Sequence, residues 1–96
     1  MNENTPNPSP TPVFCCSKAL SCNTRLSCEV ILMPQKEFHC TSYTFSLSLS
    51  RGASAESETV EDVTVNRDEA EHIFNLICTH NVYPCHLYDV ISDLIA

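Results

Sequence analysis

Residues 43–50 read Tyr-Thr-Phe-Ser-Leu-Ser-Leu-Ser, a strict alternation of large apolar side chains with small hydroxyl side chains. Successive side chains along a β-strand point to opposite faces, so this alternation indicates a strand that is buried on one face. Residues 24–32 follow a similar period, with Leu26, Cys28, Val30 and Leu32 on the apolar side. The two segments therefore predict neighbouring strands of an antiparallel sheet with one covered face.

A weaker strand and a helix follow along the chain. Residues 58–65 predict a third strand, although the parity of its valines changes within the segment. Asn66 then provides an N-cap for a helix, and Glu69 three residues later completes a capping-box pattern. Asn81 suits the left-handed position that ends such a helix. The apolar stripe of this first helix consists of Ala70, Ile73, Phe74 and Ile77.

A second helix is predicted after Pro84, whose fixed φ and missing N–H suit a first helical turn. The chain therefore predicts an α+β fold, in which a short antiparallel three-stranded sheet is followed by a two-helix hairpin packed on one face. Residues 1–13 contain alternating prolines and predict a disordered tail, which leaves 14–96 as a single α+β domain. Residues 14–23 show no clear period and are interpreted as a loop or a frayed first strand. The apolar stripe of the second helix consists of Leu87, Val90, Ile91 and Leu94.

Charge is distributed unevenly along the chain, whose formal net charge is −7. Residues 56–96 contain nine carboxylates and a single basic residue, Arg67. Because Lys and Arg side chains bind phosphate backbones, direct nucleic-acid binding is disfavoured. The same acidity favours a basic protein partner, since opposite charges steer association. The single glycine, Gly52, also excludes the glycine-rich phosphate loops of nucleotide enzymes.

The sequence also predicts a cellular location. No apolar run approaches the roughly 20 residues that a transmembrane helix needs, so no membrane association is expected. The first residues lack the basic and apolar regions of a secretory signal, which favours a cytoplasmic protein. The seven cysteines are then expected to be free thiols, because disulfides are rare in the cytosol.

Two stretches of the acidic half resemble a known family. Residues 84–94 read Pro-Cys-His-Leu-Tyr-Asp-Val-Ile-Ser-Asp-Leu, and residues 60–64, followed by Arg67, read Val-Glu-Asp-Val-Thr. This pattern resembles a family of small bacterial proteins, the domain of unknown function numbered 6514, over residues 58–95. The resemblance implies a fold and a bacterial or phage source, and it implies no activity. The cysteine-rich region 15–40 departs from the family pattern, so a cysteine-based function would be particular to this chain.

The predicted partner-binding face combines two acidic segments. Glu61 and Asp62 belong to the third strand, while Asp89 and Asp93 lie one turn apart on the second helix. His86, three residues before Asp89, shares their edge of the helix. Such an edge either keeps the protein soluble or contacts a partner. Our hypothesis is a small acidic protein–protein interaction module that regulates or inhibits a basic, nucleic-acid-binding partner, as anti-CRISPR proteins do. We predict no catalytic residues, no cofactor and no enzyme activity.

The cysteines offer an alternative function, a zinc-binding or redox module. Cys78, His80, Cys85 and His86 bracket the turn between the helices, and thiolate and imidazole are the donors that zinc prefers. Their spacing is poor, because Cys78 and His80 diverge by about 200° around a helix axis. We therefore predict that the protein holds no metal centre. If it does hold one, these four residues are the candidate ligands. Stoichiometric zinc or a mixed disulfide would favour this alternative.

Overall fold

Four antiparallel strands in sequence order form the sheet, and two helices follow them. The computed structural model describes residues 12–35 and 40–95. The strand order is β1-β2-β3-β4, a simple meander. The elements are β1 (Pro12–Ser21), β2 (Thr24–Gln35), β3 (Cys40–Arg51), β4 (Ser54–Thr64), α1 (Arg67–Thr79), a 3-10 turn (Pro84–His86) and α2 (Leu87–Ile95).

The class is α+β, but the predicted three-stranded sheet is wrong, because β1 adds a fourth strand. Cys16, Lys18 and Leu20 alternate with exposed neighbours, which gives β1 one half-buried face, and Cys16 and Lys18 pair with Cys28 and Leu26 of β2. Two of these three inward positions carry a cysteine and a lysine, so the strand lacks an apolar period in the sequence. Residues 12 and 13, which the sequence placed in the tail, begin this strand; residues 1–11 of that tail lie outside the described part of the chain.

A bulge in β4 explains the parity change among its valines. Tyr43 pairs with Thr64 and Phe45 pairs with Val60, so residues 61–63 lie opposite a single residue of β3. A bulge of this kind re-aims the strand and disrupts its ladder locally. Val60 is half-buried before the bulge and Val63, the last residue of the bulge, is buried, so both contribute to the apolar side.

The core lies between the sheet and the helices. β2 and β3 place their alternating apolar side chains on the face that the helices cover, as the sequence predicts. Leu32, near the end of β2, is the exception, because it is 40% exposed. The opposite face of the sheet carries small hydroxyl side chains, including a Ser46–Thr59 pair 3.2 Å apart. The buried apolar residues are Leu26, Cys28, Val30, Tyr43, Phe45, Leu47, Leu49, Val63, Ala70, Ile73, Ile77, Leu87 and Ile91.

Local signals set the helix ends. The side chain of Asn66 accepts a hydrogen bond of 2.9 Å from the backbone N–H of Glu69, which confirms the predicted N-cap. The Glu69 carboxylate accepts from the hydroxyl of Thr64, and this hydroxyl accepts from the N–H of Asn66. Asn81 has a φ of 52°, which confirms the predicted left-handed position after the helix. Pro84 opens the 3-10 turn, and α2 begins only at Leu87.

Side chains of β1 fasten α1 to the sheet. Lys18 Nζ donates to the carbonyl of Cys78 at 2.7 Å and to Asn81 Oδ1 at 2.6 Å. A cation here also opposes the negative end of the helix dipole. At the start of the helix, the guanidinium of Arg67 lies 5.0 Å from the ring centroid of Phe14, and the same ring stacks on Phe74 in the middle of α1 with centroids 5.4 Å apart. β1 therefore holds both ends of α1.

Candidate functional site

The predicted acidic residues of β4 lie in its bulge. Glu61 and Asp62 are both exposed, and Asp62 has a φ of 56°. Aspartate tolerates this left-handed region better than most residues, because its short side chain can satisfy nearby backbone groups. The bulge therefore takes these two residues out of the regular ladder and exposes both carboxylates.

The predicted residues of the closing segment are exposed as well. Asp89 and Asp93 lie on α2, whereas His86 belongs to the 3-10 turn that precedes it. The 3-10 turn and α2 both pack against β4. The structure therefore brings the two acidic segments of the prediction onto adjacent elements. Within residues 12–35 and 40–95, none of these carboxylates has an ion-pair partner.

A groove that the sequence did not predict runs between α1 and α2. Its volume is about 350 Å³, and its lining is mainly apolar. It continues into a second depression of about 370 Å³ at the loop between the helices, which also includes His80, Val82 and Val90. Tyr83 and His86 stand at that end. The first depression is lined by Leu76, His80, Val82, Val90 and Leu94.

The groove exists because the apolar stripe of α2 is wider than the sheet can cover. The sequence assigned the whole stripe to the core, yet only Leu87 and Ile91 are buried against the sheet. Val90 is half-buried and Leu94 is 38% exposed. The groove could have been predicted from the sequence, because the apolar stripe of α2 extends beyond the i, i+4 pair that faces the sheet.

The four candidate zinc ligands are not assembled into a site. Cys78 forms a disulfide with Cys16 of β1, so its sulfur is not a thiolate in this state. His80, Cys85 and His86 are exposed, and the described residues contain no group of three or more His, Cys, Asp or Glu side chains able to hold a metal ion. The disulfide also contradicts the expectation that all cysteines are free thiols.

Cys28 lies next to this disulfide but is unreactive. It pairs with Cys16 across β1 and β2, and both residues line a cavity of about 10 Å³ together with Cys78. Burial, and secondarily the negative charge of Glu29, raise the pKa of the Cys28 thiol from 9.0 to about 12. Because only a thiolate attacks a disulfide, Cys28 does not exchange with its neighbour near neutral pH.

Comparison with known protein families identifies the chain. Residues 18–96 match the model described as "Family of unknown function (DUF6514)". The chain belongs to this family. The match confirms the resemblance seen in the sequence and extends it from residues 58–95 to β2, β3 and the last four residues of β1. The family description assigns no activity.

Two further comparisons add no relative. Neither curated proteins nor solved structures show a significant match to the chain. In the part of the chain that the structure describes, α1 and α2 are too short or too polar to cross a membrane.

Proposed function

We propose that this protein is a small interaction module that binds a basic protein partner through an acidic face, and so regulates or inhibits that partner. The acidic face consists of Glu61 and Asp62 in the β4 bulge and of His86, Asp89 and Asp93 in the closing segment. One observation carries the proposal: these carboxylates are exposed on elements that pack together, and no described residue neutralises them.

Unpaired surface carboxylates favour binding because they raise the rate at which the protein encounters a basic partner. They do little for stability, since even paired surface charges contribute only about 0–1 kcal/mol. They attract a basic surface over several ångströms, which raises the association rate at low salt. The described part of the chain thus supports steering of a basic protein better than it supports catalysis.

The partner class follows from the same charge pattern. Basic protein surfaces commonly bind nucleic acid, so an acidic module can occupy the channel that the nucleic acid would use. We place the protein in the cytoplasm of a bacterial cell, or of a cell infected by a phage, where an inhibitor of the anti-CRISPR type would act. Inhibition would then be competitive with the nucleic acid.

Surface plasmon resonance on a partner captured from bacterial lysate tests the proposal. We expect the association rate to fall strongly between about 0.1 M and about 1 M salt, as the screening length shrinks from about 10 Å to about 3 Å. The triple variant Glu61→Lys, Asp89→Lys, Asp93→Lys should lose most of that rate. Asp62 is left unchanged because lysine is disfavoured at its positive φ.

A second triple variant serves as the matched control. Glu56→Lys, Glu58→Lys and Glu71→Lys make the same change in net charge at exposed positions outside the acidic face. We expect this control to retain most of the association rate. Equal losses in both variants would mean that net charge alone matters and that the acidic face is not a binding site. Association that is insensitive to salt would remove the proposal altogether.

The disulfide favours a second candidate function, a thiol-based redox module. A partner with two thiols would reduce the Cys16–Cys78 bond, which yields two thiols here and one disulfide in the partner. Two electrons and two protons pass to this protein in that exchange. The supporting observation is that the bond joins α1 to the edge strand β1, so its reduction would loosen the helix.

A further inference from the structure

We propose that the groove between α1 and α2 receives a short, basic amphipathic helix of the partner protein. This inference rests on the proposed function and names the segment of the partner that is recognised. The groove is defined by the side chains that line its floor and its loop end. These are Leu76, His80, Val82, Val90 and Leu94, with Asn81, Tyr83 and His86 at the loop end.

The floor of the groove is apolar and open. Val90 and Leu94 lie one helical turn apart on α2, and Leu76 lies opposite them on α1. The two helices contact the sheet more than they contact each other, so their facing side chains are left accessible. An apolar groove between two helices is the arrangement that binds the apolar side of an amphipathic helix.

The dimensions fit a short helical segment. α2 contains nine residues and is therefore about 13.5 Å long at 1.5 Å per residue. A guest helix of roughly two to three turns spans this length. Its apolar side chains at positions i, i+4 and i+7 would then meet the groove floor.

The charges beside the groove determine which kind of guest helix it binds. At 100° per residue, Asp93 lies about 60° from Val90 and Asp89 about 100° from it, and both point away from the buried Leu87. Asp93 therefore borders the α2 side of the groove, and Asp89 lies one turn away along the same edge of the helix. Lysine or arginine residues along one flank of the guest would pair with them.

The α1 side of the groove also carries a carboxylate. Glu69 is exposed and lies seven residues before Leu76, about 20° from it around the helix axis. The basic residues of the guest should therefore lie on both flanks of its apolar side. A second copy of this chain is a poorer occupant, because two α2 helices side by side would oppose Asp89 and Asp93 to the same carboxylates.

Fluorescence anisotropy with two synthetic peptides tests the inference. The first is a labelled amphipathic Leu/Lys helix, and the second is a scrambled peptide of identical composition that cannot form an apolar face. We expect the amphipathic peptide to bind at least tenfold more tightly than the scrambled one. Leu94→Gln should remove that preference, because it puts an amide into the groove floor.

Ile95→Gln is the matched control. Ile95 is an exposed apolar residue of the same helix end, and it does not line the groove. We expect this variant to keep the preference for the amphipathic peptide. Circular dichroism melts of both variants report whether the fold is retained.

The outcomes separate the groove from the acidic face. If both peptides bind equally and in a salt-dependent manner, the groove inference fails while the proposed function stands. The same conclusion holds if the Leu94 and Ile95 variants behave alike. If neither peptide binds at low salt, recognition of basic partners fails, and the groove inference fails with it.

Discussion

At the scale of single residues, Cys28 couples stability to pH. Its thiol is 2% exposed, and burial raises its pKa from 9.0 to about 12. Between these values the unfolded chain loses the thiol proton and the folded chain keeps it. The contribution of the Cys28 thiol to the free energy of unfolding is therefore fully present below pH 9, and it is lost as the pH rises above that value. At pH 10 we expect a loss of about 1.4 kcal/mol, which is the free energy of one pKa unit.

Urea unfolding at pH 8 and pH 10 measures this effect. The measurement uses a background in which Cys15, Cys22, Cys40 and Cys85, the exposed free cysteines, are replaced by serine to prevent disulfide exchange. Cys28→Val is the control, since valine has no proton to lose. An equal loss of stability in the control would assign the pH dependence to other groups.

Individual site residues could be predicted from the sequence only in part. The exposure of Glu61, Asp62, Asp89 and Asp93 follows from their charge, which makes burial costly. The disulfide joins Cys16 to Cys78 across 62 positions, and no local pattern indicates such a pairing. The odd cysteine count limited the possible pairings without choosing one.

At the scale of elements, the start of α1 depends on its N-cap. Asn66→Ala removes the acceptor for the N–H of Glu69, so we expect a loss of about 1 kcal/mol in the free energy of unfolding. Asn75→Ala changes the same residue type at an exposed position in the middle of α1 and should cost nothing. Thermal melts of both variants check the prediction, and equal melting temperatures would contradict it.

Helices and strands could be predicted from the sequence where the interactions that set their ends are local. The caps at Asn66 and Asn81 act through backbone groups only a few residues away, so the sequence placed both ends of α1 correctly. β1 depends on pairing with β2 and on its contacts with α1, which are invisible to a local pattern. The β4 bulge was likewise visible only as a broken parity among valines.

At the scale of the whole molecule, two of the cysteines form a disulfide and the others are free thiols. Alkylation in denaturant without reductant should label five of the seven cysteines, because Cys16 and Cys78 are bonded to each other. Reduction before alkylation should raise the number to seven. Intact mass spectrometry counts the labels.

A variant of Cys78 tests whether the two unlabelled cysteines are those of the Cys16–Cys78 disulfide. Cys78→Ser frees Cys16, so six labels are expected without reductant. Seven labels in the unreduced parent protein would contradict the disulfide and restore the expectation drawn from the sequence. Zinc analysis of the same sample tests the metal alternative, which stoichiometric zinc would support.

The acidity of β4 also bears on how copies of this protein coexist at high concentration. β4 is an outer strand, and its unpaired backbone groups could template the addition of a strand from another molecule. Its left-handed kink at Asp62 interrupts that template. Carboxylates along its length would repel the same strand of a second copy: Glu56, Glu58, Glu61 and Asp62. The carboxylates of β4, two of which belong to the acidic face, thus also protect the chain from polymerising with itself.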